Sequence, residues 1–231
     1  MENKFVEGEI ILIDKPLTWT SFNVVKKINN LIKKRYNLDK LKVGHAGTLD
    51  PLATGLLVIC TGKKTKEINV FQDSDKEYIA TIEFGKTTPS YDLETKFDKE
   101  YASNHITLNL IKEKIKLFIG NIDQIPPLYS AKFVNGKRAY KIARKGIDME
   151  LKPSRVTIKE VEILEFNLPV LIVRILCSKG TYIRSFARDI GLAVNSGAYL
   201  KALKRTISGA YKIKDAQSIE EFQEKLFSLQ P

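Results

Sequence analysis

A run of twelve residues between Gly44 and Gly55 constrains the fold of this chain most strongly. It reads Gly-His-Ala-Gly-Thr-Leu-Asp-Pro-Leu-Ala-Thr-Gly and leads directly into the apolar segment 56–60. Its glycines permit a positive φ or a close backbone approach, and the proline disfavours the α conformation at the preceding Asp50. The pattern therefore predicts a single carboxylate held in a tight turn beside a buried strand.

This carboxylate has two interpretations. A rigidly oriented Asp50 is suited to act as a nucleophile or a general base. In the alternative, the side chain of Asp50 bonds its own backbone in an Asx turn, which is a purely structural role. The turn by itself favours neither.

The charge of the chain points to an anionic partner. Its 231 residues include 38 Lys and Arg against 27 Asp and Glu, a net charge of +11, and nucleic acid is the first candidate for such a surplus. Residues 132–145 contain no acid, and Phe133 and Tyr140 lie among their basic residues, whereas a solvated helix face usually mixes signs. The basic residues of this stretch are Lys132, Lys137, Arg138, Lys141, Arg144 and Lys145.

Several classes of protein are disfavoured by composition. The only cysteines, Cys60 and Cys177, lie in separate apolar runs and make neither a disulfide framework nor a zinc cluster. Two histidines argue against a His-based metal site. The N-terminal residues lack the layout of a signal peptide, and no apolar run is long enough to span a bilayer. We expect a soluble, cytoplasmic protein without a bound metal.

Periodicity predicts intermixed strands and helices. Strands are expected at residues 8–14, 78–84, 156–166, 170–177 and 210–213, and helices after the caps Ser21, Thr107 and Thr181 and after a capping box at Ser218 and Glu221. Gly120 is expected to end the helix after Thr107, residues 85–104 to form a loop, and residues 200–205 a short helix or turn. The mixture favours an α+β fold with a largely antiparallel sheet, in a single domain over residues 1–231.

Arg184 is a second candidate for the chemistry. It lies with Arg188 on the helix beginning near residue 182, on a face that the apolar stripe does not occupy. The helix dipole disfavours a cation in the first turn, so a carboxylate partner is expected. Pairing with Asp50 would keep that carboxylate ionised, and the alternative is an ordinary surface salt bridge from Arg184 to Asp189 or Glu162.

Each of the other polar and aromatic candidates also has a possible structural role that involves no substrate. Tyr78 and Tyr182 fit core packing or stacking on an RNA base. Lys15 fits a phosphate contact or a solvated lysine. His45 is a poor general base, since no acid lies near it in sequence to orient it.

The chain closely resembles the tRNA pseudouridine synthase B (TruB) family. The run from Gly44 to Gly55 matches the signature of that family without a gap, and the resemblance covers residues 8–217. Shorter matches are Asp14-Lys15-Pro16 with Thr20-Ser21-Phe22, Pro126-Pro127 with Tyr129-Ser130-Ala131, Asn135-Gly136-Lys137-Arg138-Ala139-Tyr140 with Ala143-Arg144-Lys145-Gly146, and Ser178-Lys179-Gly180-Thr181-Tyr182-Ile183-Arg184.

The resemblance implies a pseudouridine synthase fold, with a mixed, mostly antiparallel central sheet flanked by helices. Asp50 would be the catalytic aspartate, Arg184 its salt-bridge partner and Tyr78 the aromatic that stacks on the target uracil. Tyr182 and Leu203 would line the base pocket, His45 would help to hold displaced nucleotides, and a basic insertion at about 120–150 would clamp RNA.

The implied activity is isomerisation of the T-loop uridine at position 55 of tRNA to pseudouridine, without cofactor or metal. Attack by Asp50 at C1′, attack at C6 and removal of a 2′ proton all fit the resemblance. The partner would be the T stem-loop of tRNA, with no membrane, no obligatory protein partner and a monomer as the default. A non-catalytic RNA-binding module and a synthase inside a guide-RNA particle are the alternatives.

The chain departs from the family pattern at two places and lacks a segment that many members carry. Thr18 stands where the family usually has glycine, and Pro89-Ser90-Tyr91 interrupts a stretch that is usually Thr-Asp-Thr-like, which leaves the role of Asp92 open. Many members also append a C-terminal PUA domain, whereas this sequence stops at Pro231. We therefore expect weaker binding of the distal part of the tRNA.

Overall fold

The computed structural model describes residues 3–130, 132–134, 136–143, 149 and 151–228. Their α-helices are α1 (Lys4–Glu7), α2 (Ser21–Tyr36), α3 (Ile68–Asp73), α4 (Leu108–Ile115), α5 (Ala139–Ala143), α6 (Ile183–Ala193) and α7 (Ile219–Ser228). The strands are β1 (Ile10–Lys15), β2 (Val43–His45), β3 (Ala53–Thr61), β4 (Lys76–Phe84), β5 (Lys86–Thr87), β6 (Lys99–Glu100), β7 (Gly120–Gln124), β8 (Phe133–Val134), β9 (Lys137–Arg138), β10 (Ser154–Asn167), β11 (Val170–Cys177), β12 (Ala198–Ser208) and β13 (Tyr211–Lys212).

The chain divides into two compact units. The first comprises Met1–Tyr78 and Lys204–Pro231, and the second Ile79–Leu203. The expected single domain over residues 1–231 stays a prediction. Among the described residues, no helix is both long and apolar enough to cross a membrane.

Strand β3 is the centre of the first unit. It pairs antiparallel with β1, from Ile10 opposite Cys60 to Lys15 opposite Gly55, and with β2. Since side chains alternate across a strand, Leu57 and Ile59 enter the core formed with α2 and α7, and Leu56 and Val58 enter a second apolar cluster. Burial on both faces explains why residues 56–60 form a continuous apolar run.

The second unit is organised around the long strand β10. It pairs antiparallel with β7 on one side and with β11 on the other. Leu171, Val173 and Ile175 of β11 are buried at alternate positions. Helix α6 contributes Phe186, whose ring meets the edge of Phe118 at a centroid distance of 5.4 Å. The mixture of helices and antiparallel ladders in both units confirms the α+β class.

Residues 200–205 are the largest error of the sequence-based prediction. They belong to strand β12, not to a helix or turn, and the strand after them is only Tyr211–Lys212. Pairing within the sheet therefore decided the conformation of a segment whose local pattern is ambiguous.

The N-terminal boundaries of α2 and α6 differ by one residue from the expected ones, and the end of α4 differs by more. Thr20, not Ser21, is the N-cap of α2, and Tyr182, not Thr181, precedes α6 without a side-chain cap. Gly120 begins strand β7 instead of ending α4. The Thr107 cap of α4 and the predicted capping box are confirmed, the latter because Ser218 and Glu221 exchange hydrogen bonds at 2.8 and 3.0 Å.

The basic stretch is described only in part. Strands β8 and β9 form a hairpin, and helix α5 follows over Ala139–Ala143. Arg144 and Lys145 lie outside the described residues. Lys132 donates to the hydroxyl of Ser154 at 2.6 Å and to the carbonyl of Lys152 at 3.3 Å.

Candidate active site

The Asp50 loop, defined as residues 46–56, is anchored first through Ser21 in the first turn of α2. The Ser21 hydroxyl donates to the carbonyl of Leu49 at 3.1 Å and accepts from its amide at 2.9 Å. The side chain of Leu49 is itself buried. The residue before Asp50 is thus fixed by its backbone and by its side chain, which limits the freedom of the half-buried Asp50.

Lys15 anchors the other side of the same loop. Its side chain is fully buried at the end of β1, and its ammonium donates to the carbonyls of Trp19 at 2.6 Å, Pro16 at 3.0 Å and Pro51 at 3.4 Å. Burial lowers the pKa of Lys15 to about 8, and the negative charge of nearby Asp50 partly offsets this. The reading of Lys15 as a solvated lysine is wrong. Its three donors serve backbone carbonyls, so it positions the loop, and its predicted role in substrate binding stays a prediction.

Arg205 of β12 holds the two ends of the loop together. It is 1% exposed and donates to the carbonyl of Leu56 at 2.7 Å and to that of Gly47 at 3.1 Å. Gly55 has φ +98°, and a Cβ there would lie 2.4 Å from the carbonyl oxygen of Arg205. Glycine is therefore required at position 55 for two independent reasons, its φ and the backbone contact. The expected positive φ is also present at Gly47, at +101°.

His45 and Tyr78 lie in strands of the same unit. His45 is in β2 and half-buried, and its Nδ1 has no exposed surface. Burial and the Arg205 cation lower the pKa of His45, which favours neutral imidazole at pH 7. Tyr78 is half-buried in β4.

In the second unit, Arg184 faces a carboxylate that the sequence left without a role. Arg184 is 3% exposed, and its Nη1 lies 3.6 Å from Oδ2 of Asp92, which is 4% exposed. The same nitrogen donates to the carbonyl of Ser90 at 3.3 Å. The alternative of a surface salt bridge from Arg184 is therefore wrong, because the first turn of α6 packs inward. Its predicted pairing with Asp50 stays a prediction.

The acids considered as alternative partners of Arg184 form other ion pairs. Asp189 pairs with Arg188 at 2.6 Å, and Glu162 pairs with Arg174 at 2.7 Å. Arg188 also lies over the ring of Tyr91 at 4.8 Å from its centroid. Arg188 and Arg184 thus have different surroundings, although they are four residues apart on one helix.

Tyr182 is positioned by a residue that the sequence did not single out. The side-chain amide of Gln124, 1% exposed at the end of β7, accepts from the Tyr182 amide at 2.8 Å and donates to its carbonyl at 3.1 Å. This fixes the backbone at the start of α6 in place of a side-chain cap. Leu203 lies half-buried in β12.

The predicted site residues fall into two sets. Lys15, His45, Asp50 and Tyr78 lie in the first unit, and Tyr182, Arg184 and Leu203 lie in the second. Sequence reasoning missed the positioning roles of Ser21, Gln124 and Arg205. Only the role of Arg205 was indicated by the sequence, because Gly55 implied that another backbone segment approaches closely at that position. Within the described ranges, no three His, Cys, Asp or Glu side chains are grouped as metal ligands would be.

Comparison with known proteins gives a consistent result. Residues 33–183 match the model of the TruB family pseudouridylate synthase (N terminal domain). The tRNA pseudouridine synthase B of Phocaeicola vulgatus is 56% identical over 96% of this chain and 94% of its own length. That of Flavobacterium johnsoniae is 50% identical over 96% of this chain and 98% of its own.

Solved structures agree with this fold. A crystal structure of a Cbf5-Nop10-Gar1 complex matches 95% of this chain with a TM-score of 0.71 at 29% identity. An H/ACA RNP bound to a substrate RNA containing 2′-deoxyuridine matches 98% with a TM-score of 0.70 at 25% identity. This chain spans 54% and 57% of those chains, respectively. By its sequence, its fold and the signature that forms the Asp50 loop, the chain belongs to the TruB family of pseudouridylate synthases.

Proposed function

We infer that this protein is a tRNA pseudouridine synthase, an isomerase that converts the T-loop uridine at position 55 of tRNA to pseudouridine. The observation that carries this inference is the similarity, over nearly the whole chain, to proteins named tRNA pseudouridine synthase B at 50–56% identity. The matched chains from the Cbf5-Nop10-Gar1 complex and from the H/ACA RNP are only 25–29% identical. The greater similarity to the proteins named tRNA pseudouridine synthase B favours action on tRNA over action inside such an RNP.

The reaction sets clear demands on the site. The N1–C1′ bond of uridine breaks, the base rotates, and C5 bonds to C1′ while the C5 proton leaves and N1 is protonated. The base must first leave its stack, which costs a few kcal/mol and is easiest in a loop. No electron transfer or group donor is involved, so the protein must supply one placed reactive group and a shaped pocket.

Asp50 is the proposed reactive group. The Asp50 loop holds it through Ser21, Lys15 and Arg205, which together bond the backbone at Leu49, Pro51, Gly47 and Leu56. Rigid placement of a reacting group is worth several kcal/mol of activation free energy in favourable cases. Such extensive backbone support is more than an Asx turn needs, and it supports the catalytic interpretation of Asp50.

The remaining site residues have proposed roles around the base. Arg184 is the proposed partner of the Asp50 carboxylate, Tyr78 stacks on uracil, and Tyr182 and Leu203 line the pocket. His45 holds displaced nucleotides through the exposed part of its half-buried ring, which burial and the Arg205 cation favour in the neutral form.

The organisation around this site is also proposed. Residues 1–231 form one catalytic domain, and the segment at about 120–150 clamps RNA. We propose a cytoplasmic monomer without an obligatory protein partner. The oligomeric state is measured by size-exclusion chromatography with light scattering.

Release of tritium from uracil C5 tests the function. An unmodified tRNA transcript labelled at C5 should release tritium with the wild-type protein and none with Asp50→Asn. The matched control Asp39→Asn changes an exposed carboxylate of the same unit and should leave release unchanged. Binding without release by the wild type would identify a non-catalytic module instead. Release from a transcript with cytidine in place of uridine 55 would place the target elsewhere.

A further inference from the structure

Helix α2 carries an exposed groove that the proposed catalytic residues do not use. The inner face of the helix packs Val24, Ile28 and Ile32 into the core, each fully buried. On the outer face, a groove of about 310 Å³ is lined by Trp19, Phe22, Asn23, Lys26, Lys27 and Asn30. Phe22 is 70% exposed, a large apolar surface that contributes little to the core.

The charge of this helix has a single sign. Residues 21–36 contain five basic side chains and no acid. Lys26 and Lys27 are exposed and adjacent on the groove. A solvated helix usually intersperses both signs, so the positive potential here is concentrated beside the exposed aromatic ring.

This combination fits single-stranded RNA. Unstacked bases lie on aromatic rings, their edges bond amide side chains, and lysines bind the phosphates between them. The groove offers two aromatic residues, two asparagines and two lysines, without an acid among its lining residues. The charge complementarity favours RNA over an apolar peptide.

The groove is joined to the Asp50 loop by one side chain. The Lys15 ammonium donates at 2.6 Å to the carbonyl of Trp19, which lines the groove, and at 3.4 Å to that of Pro51, which follows Asp50. RNA on the groove would therefore lie against the same loop support that holds the proposed reactive carboxylate.

We propose that the α2 groove binds an unpaired segment of the substrate RNA outside the catalytic pocket, with a base on Phe22 and Trp19 and phosphates on Lys26 and Lys27. The proposal rests on the proposed function in taking RNA as the substrate. The groove contributes to the affinity and positioning of the substrate, whereas the chemical step takes place at Asp50.

Trp19 makes the proposal directly measurable, because it is the only tryptophan in the chain. Its fluorescence is followed while an oligouridylate of eight nucleotides, or the tRNA transcript, is added. We expect saturable quenching that weakens with salt. Phe22→Ala should weaken oligouridylate binding about tenfold, the usual effect of removing one stacking ring. Polyglutamate is the comparison ligand. If it quenches the fluorescence as strongly as RNA does, the groove binds an acidic protein partner and the RNA proposal is overturned.

Steady-state tritium release gives the second readout. Lys26→Glu with Lys27→Glu should raise KM for tRNA at least tenfold with kcat within twofold, and should reduce the salt slope of binding by about two. Lys112→Glu with Lys116→Glu, an equal charge change at two exposed lysines of the second unit, should raise KM far less. Circular dichroism melts confirm that the variants are folded.

Three outcomes separate the two proposals. Absence of quenching in the wild type, or equal KM values for the α2 and control variants, would overturn the groove. Quenching without tritium release would leave the groove in place and overturn the catalytic function.

Discussion

The hydroxyl of Ser21 bonds both backbone groups of Leu49, accepting from its amide at 2.9 Å and donating to its carbonyl at 3.1 Å. Ser21 is 2% exposed, so water does not substitute for it. One small side chain in the first turn of α2 thus fixes the residue that precedes Asp50. This relation connects the stability of the first unit to the placement of the proposed reactive group.

Ser21→Ala should reduce both stability and activity. It leaves two buried backbone groups of Leu49 without this partner, which costs about 1–3 kcal/mol of the free energy of unfolding. Because the loop then loses one anchor beside Asp50, we expect kcat for tritium release to fall at least tenfold. Urea unfolding and single-turnover kinetics measure the two effects.

Ser218→Ala is the matched control for this prediction. It removes the capping box of α7, where Ser218 and Glu221 exchange two hydrogen bonds, and should cost about 1 kcal/mol. Since this site does not bond the Asp50 loop, kcat should be unchanged. An equal fall of kcat in both variants would show that activity follows stability alone.

Asp92→Asn should be more destabilising than an ordinary loss of charge. Asp92 and Arg184 are both nearly buried, and removing the carboxylate charge from beside a guanidinium that water does not reach costs more than the same change at the surface. If Arg184 acts in catalysis, kcat falls as well, and we expect a loss of at least tenfold. The exposed pair of Asp123 and Arg155 provides the control, since Asp123→Asn should cost less than about 1 kcal/mol. Similar costs in the two variants would contradict the argument.

The sequence predicted the features that are set locally. The apolar period of α2 identified Val24, Ile28 and Ile32 as core, and the glycines and proline around Asp50 indicated a constrained turn. Such patterns depend on residues within one or two turns of each other. The structure buries the three α2 residues and gives Gly47 and Gly55 a positive φ, whereas Gly44 lies in β2 without one.

Features set by distant pairing were not predictable from local patterns. Residues 200–205 lie in strand β12, whose conformation is set by pairing within the sheet and not by their local pattern. Lys15 is buried because carbonyls of Trp19 and Pro51 surround its ammonium, and an isolated Asp-Lys-Pro sequence does not reveal them. The pairing of Arg184 with Asp92 spans more than ninety residues, and charge alone did not single out that acid among many.

Thr18→Gly should stabilise the protein. Thr18 has φ +69°, which costs a β-branched residue roughly 1–2 kcal/mol, and the resemblance to the TruB family led us to expect glycine there. Glycine relieves this strain and keeps the hydrogen bond that the residue 18 N–H donates to the Pro51 carbonyl, although it also increases the entropy of the unfolded chain. We expect a net gain of about 0.5–1 kcal/mol in urea unfolding. Thr20→Gly, at an N-cap with φ −76°, should be destabilising, and the same sign in both variants would refute the strain argument.

The pKa of Lys15 makes a prediction about pH. Burial lowers this pKa from 10.5 to about 8 in the folded protein. Between these values the unfolded chain binds more protons at this position, so stability rises with pH across the interval, and the penalty of the buried charge is fully present below about pH 8. Lys15→Met cannot show this gain. Urea unfolding at pH 7.5 and 10.5 should therefore show that the free energy of unfolding of the wild type rises by about 3 kcal/mol relative to that of the variant. If the difference between the two proteins is the same at both pH values, burial does not penalise the ammonium.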